Sequence, residues 1–354
     1  MKQRRNKSWM ISEHLRKGIR NGKYPPGSLL SSSVQLAESF GVAPLTANRA
    51  LNTLAAEGLV IRKQGRGSFV ADKETIQDQP VYRIGIADTI NYTSPAHIAA
   101  MKTFSESMIQ FIRNMGHQAQ VFPYSDIRDE TSSQSDLNTL KGLLLSAAYH
   151  DEKTEKVLVK LDIPIVLYLR DWLDDAPFHQ VTSDFAPGMR EAVNLLQEQN
   201  CKQLLIFSET HANGQARRQA FLRELSKANA DIAITEEVAF KERSIQGIEV
   251  YKKGLEMAEK IRGSSIFCTS DIMAFLLVQA FLDKGLELRQ DYQLISVDNL
   301  EAENFLPFGR PILTSIDYPR KTIARKAVEL LLSQIENPDD CRHIIRVPTR
   351  LVCR

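Results

Sequence analysis

Apolar residues at Trp9, Ile11, Leu15 and Ile19 follow a helical spacing that stops at Asn21 and Gly22, and Tyr24-Pro25-Pro26-Gly27 breaks the chain after them. Val34, Leu36, Ala37 and Phe40 predict a second, short helix from about Ser33 to Phe40, with serines at its start to cap it and Gly41 to end it. Pro44 suits the first position of a third helix, which continues to Glu57 and stops at Gly58. Its inward face is Ala47, Ala50, Leu51 and Leu54, so Leu45, Asn48, Arg49 and Asn52 point outward. Leu59-Val60-Ile61 and Ser68-Phe69-Val70 read as two strands joined by a tight turn at Gln64-Gly65-Arg66-Gly67.

The pattern then changes. Residues 71–80 are polar and charged, lack an apolar period and end on Pro80, which predicts a linker between a head at 1–70 and a body at 81–354. In the body, strands are expected at 83–87, 119–122, 142–146, 165–169, 204–207, 265–268 and 293–297. Helices are expected at 97–115, after Asp151, and at 187–199, 215–228, 245–261, 271–284 and 319–335. Alternating strands and helices call for an α/β fold with parallel sheets covered by helices on both faces, and some 270 residues predict two such lobes.

Charge sharpens the division. Residues 1–75 hold 13 Lys and Arg against 5 Asp and Glu, a net +8, and the remainder carries a net −6. A basic head on an acidic body suits a module that meets phosphate, although a basic surface also serves solubility. No apolar run approaches the ~18 residues of a membrane span, and the basic start lacks an apolar block after it, so the chain is expected in the cytoplasm and away from membranes. Cys201, Cys268, Cys341 and Cys353 lie far apart with no Cys-x-x-Cys pair, which suggests neither a zinc site nor a redox motif; no cofactor is expected.

Three helices followed by a two-stranded wing make a winged helix-turn-helix, and here the residues resemble the GntR family. The resemblance rests on Pro26-Gly27, Leu36-Ala37, Phe40-Gly41-Val42, Thr46, Ala50-Leu51, Leu54, Glu57-Gly58-Leu59-Val60 and Gly65-Arg66-Gly67-Ser68-Phe69-Val70. It implies that the helix from Pro44 enters the major groove while the wing tip approaches the backbone or minor groove. Arg49 and Asn48 are then the base-edge readers, Leu45 a contact to a thymine methyl, and Arg66 the wing-tip residue. Thr46 and Asn52 join them on the same helix, and Ser32 and Ser33 are candidates to donate to phosphates. Each has a plain alternative as a surface residue, and Leu45 as a packing one. Two positions depart from the family: Val34 and Pro44 stand where arginines usually contact DNA, so operator contacts do not carry over from relatives.

The body resembles the LacI-type sensor domain, which is similar to type I periplasmic sugar-binding proteins. The landmarks are Ile84-Gly85-Ile86, Asn114-Met115-Gly116-His117, Lys141-Gly142-Leu143-Leu144-Leu145, Ile163-Pro164-Ile165-Val166, Val181 with Asp184, and Arg217 with Ala220-Phe221. Ile266-Phe267-Cys268-Thr269-Ser270-Asp271, Ser296-Val297-Asp298-Asn299, Pro311-Ile312-Leu313-Thr314 and Arg350-Leu351-Val352 continue the series. The whole resembles regulators of the arabinose-repressor type, with a two-lobed effector-binding and dimerisation domain of doubly wound sheets. The resemblance places an effector between the lobes, at Asn91, Tyr92, Arg170, His211, Asn213, Arg217, Phe240, Asp271 and Asp298. Arg and Asp give paired hydrogen bonds to vicinal hydroxyls, while Tyr92, Phe240 or Trp172 would cover a pyranose face. Asp271 suits helix capping equally, His211 a loop, and Phe240 a core.

The implied protein is a sequence-specific transcriptional regulator, a repressor by family habit, that binds double-stranded operator DNA as a homodimer under control of a small molecule. A sugar leads; a purine, a nucleoside or another polar metabolite stays open, as does a sugar receptor without regulatory duty. No Gly-x-Gly-x-x-Gly opening a helix, phosphate loop, Gly-x-Ser-x-Gly or His-Glu-x-x-His is present to suggest an enzyme.

Overall fold

The computed structural model describes residues 7–63, 66–71, 80–88, 95–129, 137–147, 151–169, 171, 175–241 and 248–354. Most of the expected linker and the wing turn residues Gln64 and Gly65 lie outside the described residues. Two compact units are separated, Met1–Tyr82 with Ile112–Gln118 and Arg83–Phe111 with Ala119–Arg354.

In the first unit α1 (Lys7–Arg20), α2 (Ser33–Phe40) and α3 (Pro44–Ala56) precede an antiparallel pair, β1 (Val60–Lys63) and β2 (Gly67–Val70). Ile11 and Leu15 of α1, Leu36 and Ala37 of α2, the four inward residues of α3, and Val60 and Val70 close a single core. Arg16 ties α1 to the end of α3 through a two-point contact, Nε and Nη2 donating to the Glu57 carboxylate at 2.9 and 2.6 Å. At the start of α2, Ser32 Oγ accepts from the Gln35 N–H at 3.2 Å and Gln35 Oε1 accepts from the Ser32 N–H at 2.9 Å. This reciprocal cap satisfies donors that a helix start leaves open, and Gly41, at φ 58°, closes the other end in a conformation that disfavours a Cβ. Ser32→Ala breaks the cap, and the melting midpoint of the head should fall by the equivalent of about 1 kcal/mol.

Beyond Arg83 the strands and helices alternate as the pattern predicts. A first lobe is built from β3 (Arg83–Asp88), α4 (Pro95–Asn114), β4 (Gln118–Pro123), α5 (Tyr124–Arg128), β5 (Gly142–Ser146), α6 (Glu152–Leu158), β6 (Ile165–Tyr168) and β7 (His179–Asp184). The chain then enters a second lobe: α7 (Ala186–Glu198), β8 (Gln203–Glu209), α8 (Ala212–Lys227), β9 (Ala233–Phe240), α9 (Ile248–Met257), β10 (Ser265–Cys268), α10 (Asp271–Asp283), β11 (Gln293–Asp298) and β12 (Thr314–Asp317). Last come α11 (Arg320–Glu336), β13 (Ile344–Pro348) and β14 (Arg350–Val352). Among the described residues each lobe holds a six-stranded sheet, ordered β13-β7-β6-β5-β3-β4 and β14-β12-β11-β10-β8-β9. The antiparallel edge pair β12–β14 departs from the parallel pairing of both sheets.

The chain passes between lobes at three places: after Asp184, between Asp317 and Arg320, and at Thr349. These crossings are bonded to one another. Thr349 donates from its N–H and its hydroxyl to the Asp184 carbonyl at 3.0 and 2.9 Å. Gly188 opens the space for this, because a Cβ there would lie 2.8 Å from both Ile316 Cγ2 and Thr349 Oγ1. No helix among the described residues is long and apolar enough to cross a membrane.

Candidate functional site

The second unit brings charged groups of both lobes together beside the crossings. After β6, Leu169 takes φ 55°, a conformation uncommon for leucine, and the chain turns so that Asp171 leaves the first lobe. Asn213, in the first turn of α8, holds that turn in place: its Oδ1 accepts from the Asp171 N–H at 2.9 Å and its Nδ2 donates to the Leu169 carbonyl at 3.4 Å. Arg217 follows one helical turn later on the same face. Its Nε donates to Asp171 Oδ2 at 2.8 Å, and its Nη1 donates to the Thr269 carbonyl at 3.0 Å and lies 3.1 Å from Asp298 Oδ1. The other Asp171 oxygen accepts from the Tyr318 hydroxyl at 2.8 Å. Tyr318 and Phe185, both next to crossings, place their rings 5.5 and 5.6 Å from the Arg217 guanidinium carbon.

Asp298 adopts φ 121°, and Arg320 Nη1 binds its carbonyl at 2.6 Å. Positive φ thus occurs at Asp298 itself and at Leu169, two residues before Asp171, a feature that persists only where surrounding bonds enforce it. The electrostatics are strong because the groups are buried. Burial opposes the Arg217 charge, but Asp298 and Asp171 outweigh it and its pKa is raised. Burial pushes the Asp171 carboxyl up, with Arg217 and the Tyr318 hydroxyl pulling the other way. Arg217 remains a cation sharing two acids from different lobes.

The remaining expected effector residues separate into groups. His211 sits at the α8 N-cap, where Nδ1 accepts from the Gly214 N–H at 3.3 Å. Asp271 opens α10, but Ser270 is its cap. Asp271 Oδ1 accepts from Ser296 and Ser315 at 2.5 and 2.7 Å, and Oδ2 from the Leu300 N–H at 2.7 Å, so both oxygens are engaged by protein. Phe240 packs in the second-lobe core and stacks on Phe207. Asn91, Tyr92, Arg170 and Trp172 lie outside the described residues. Asp171, Tyr318, Phe185 and Arg320 were not among the expected residues. Asp171 carried a usable signal, since it follows an apolar strand read as ending at the cleft. Tyr318 carried none, because its role depends on a crossing between lobes.

On the head, Leu45, Arg49 and Asn52 are exposed on one face of α3, with Thr46 and Asn48 half-buried beside them. Arg66 is exposed at the start of β2, Ser32 is engaged in its cap, and Ser33 is half-buried. Asn52 Oδ1 accepts from Arg62 of β1, which links wing and helix and adds a cation that the sequence reading omitted. Among the described residues no cluster of His, Cys, Asp and Glu is arranged to hold a metal ion.

Residues 7–70 match the model for bacterial regulatory proteins of the gntR family, and residues 193–354 match that for a periplasmic binding protein-like domain. The chain is similar to the HTH-type transcriptional repressor PurR of Mannheimia succiniciproducens, at 26% identity over 60% of this chain and 62% of the relative. It therefore spans less than two thirds of that relative's length. It is also similar to the arabinose metabolism transcriptional repressor of Geobacillus stearothermophilus, at 20% identity over 93% of this chain and 88% of the relative. Among solved structures, a LacI family transcriptional regulator from Enterococcus faecium with bound ribose superposes with a TM-score of 0.60, at 19% identity, covering 77% of this chain and 97% of that one. The chain joins a head that matches the gntR-family model to a two-lobed α/β body whose residues 193–354 match the periplasmic binding protein-like model.

Proposed function

We propose that the chain is a transcriptional regulator, a repressor, that reads double-stranded operator DNA with α3 and the wing and responds to a sugar bound between its lobes. The observation that carries the reading is Arg217 of the second lobe bonded to Asp171 of the first and to Asp298 at the end of β11. A guanidinium flanked by two carboxylates offers donors and acceptors on one small surface, which suits vicinal hydroxyls that each donate and accept. The rings of Phe185 and Tyr318 already face Arg217, so they do not leave two open faces for a flat base. This favours a sugar over a purine or nucleoside. It agrees with the arabinose in the name of one relative and the ribose bound in one structural neighbour.

A ligand that prefers one lobe arrangement shifts the population toward it, and in a homodimer the change reaches both heads and alters affinity for a two-half-site operator. A thermal-shift screen against pentoses, hexoses, their phosphates and nucleosides tests the effector class, because a ligand of the folded state raises the melting midpoint by mass action. Sugars should shift it. A response confined to nucleosides would overturn the sugar reading, and sedimentation showing one chain per operator would overturn the dimer.

The head makes a separate prediction. Arg49 is exposed on α3 and its side chain makes no hydrogen bond or ion pair among the described residues, so its guanidinium is available for a base edge. On DNA selected from a random pool, Arg49→Ala should weaken binding by about 1–3 kcal/mol and relax sequence preference at one position. Arg66→Ala should weaken specific and non-specific duplex alike and lower the salt dependence. Equal behaviour of the two variants would contradict the assignment.

A further inference from the structure

Beside the Arg217 cluster, on the other side of Asp171, lies a cavity of about 470 Å³ whose walls come from both lobes. The first lobe contributes Thr182, Ser183 and Asp184 from the end of β7 and Arg346 from β13; the second contributes Gln219, Arg223, Glu224 and Lys227 from α8. Arg217 does not line it. The volume falls in the range of ~300–1,000 Å³ usual for small-molecule sites.

The charges around this cavity are unequal in their partners. Asp171 is held by Arg217 and Tyr318. Glu224 is held by Lys227 at 2.6 Å and by Arg190 at 3.2 Å, so the Lys227 ammonium is also engaged. Asp184 accepts from the Ala186 N–H at 3.1 Å. Arg223 and Arg346, both exposed, carry no hydrogen bond or ion pair among the described residues. Two unpaired guanidiniums, one from each lobe, therefore border one open-mouthed cavity in which, of the three lining carboxylates, Asp184 alone has no cationic partner among the described residues.

We propose that this cavity is a second ligand site, separate from the Arg217 cleft, for a small phosphate monoester. A carboxylate presents two oxygens and satisfies one guanidinium fork. A phosphate dianion presents three terminal oxygens and accepts from two forks at once. Thr182, Ser183 and Gln219 supply hydroxyl and amide partners for the alcohol part of the ester. Because the two arginines belong to different lobes, the occupant stabilises the lobe arrangement in which both line the cavity, and it acts beside the crossing where Thr349 binds the Asp184 carbonyl.

The test is calorimetric titration of the full chain with glycerol 3-phosphate and with inorganic phosphate, at fixed ionic strength, with glycerol as the uncharged control. Saturable binding of both phosphates is expected, with Arg223→Ala and Arg346→Ala each weakening it at least 10-fold and the double variant abolishing it. Both residues are exposed, so the far-ultraviolet circular dichroism spectrum and melt of each variant should match those of the unaltered chain. Arg223→Ala and Arg346→Ala should leave any sugar-induced rise in melting midpoint in place, and phosphate binding is expected whether or not a sugar binds, which separates this site from the sugar cleft and keeps its outcome independent of the effector reading. Binding that is absent, unsaturable or indifferent to both arginines would overturn the proposal.

Discussion

Replacing Arg217 with alanine is expected to abolish the sugar-induced rise in melting midpoint and to destabilise the second unit by about 3–5 kcal/mol, the usual cost of leaving a buried ion pair half-made. Arg217 is 9% exposed on its side chain and Asp171 is fully buried, so solvent cannot replace the lost partner. The variant leaves Asp171 and Asp298 facing a gap without their shared cation, and burial then favours the protonated form of Asp171. A carboxyl whose folded pKa is raised contributes stability that is fully present below its unfolded pKa and lost as pH rises through the folded value. The deficit of Arg217→Ala should therefore shrink on acidification toward pH 4, as seen in melts across pH. The double variant Arg217→Met, Asp171→Asn should recover part of the stability but none of the sugar response. A full recovery of response would show that Arg217 only holds the lobes, and an Arg217→Ala chain that still shifted with sugar would sink the assignment of the cleft.

How much of this was legible beforehand depends on where each bond closes. In the head nearly every decisive contact is local. The inward face of α3 follows from helical spacing, Gly41 marks the end of α2 and Pro44 the start of α3, and two strands follow, so pattern and fold agree within a residue or two for these elements. In the body the interior strands are uninterrupted apolar runs, and β5 and β10 fall at the predicted bounds. The edges were harder. β9 carries Thr235, Glu236 and Glu237 on a largely exposed strand, which erases the apolar signal that marks its neighbours. β13 and β14 are short, and each pairs with a strand far away in sequence that only the lobe crossings bring near.

The cleft divides along the same line. Arg217 was reachable because its spacing to Ala220 and Phe221 is carried on one helix, whereas its partner Asp171 is 46 residues away and in the other lobe. Phe240 shows the reverse error of emphasis: an aromatic at a strand end suggests a ring-covering role, and the structure packs it against Phe207 in the core. Sequence periodicity reports which face is buried. It does not report which lobe a buried group will meet.

Asp271→Ala should be the second large effect, and for a reason unlike that of Arg217. The Asp271 carboxylate receives two serine hydroxyls and the Leu300 N–H, and so joins the start of α10 to β11, the turn after it, and β12. Alanine leaves these three donors buried and unmatched at about 1–3 kcal/mol each, although the serines can turn and soften the loss. A fall of several kcal/mol is expected, larger than that of Asp271→Asn, whose single carbonyl oxygen still accepts. Burial, reinforced by Asp298, pushes the Asp271 carboxyl up to about 7 against an ordinary value of 3.8. The sign follows directly: the folded chain holds this proton where the unfolded chain has released it, so stability contributed by Asp271 is complete below about 4 and is lost as pH rises through about 7. Asp271→Asn removes the titration and should flatten the decline of the melting midpoint between pH 4 and pH 7. With both oxygens engaged by protein, sugar affinity measured on the folded Asp271→Asn chain should change less than 3-fold. A loss of affinity with no change in the pH profile would instead make Asp271 a ligand contact, and its three internal bonds would have to open on binding.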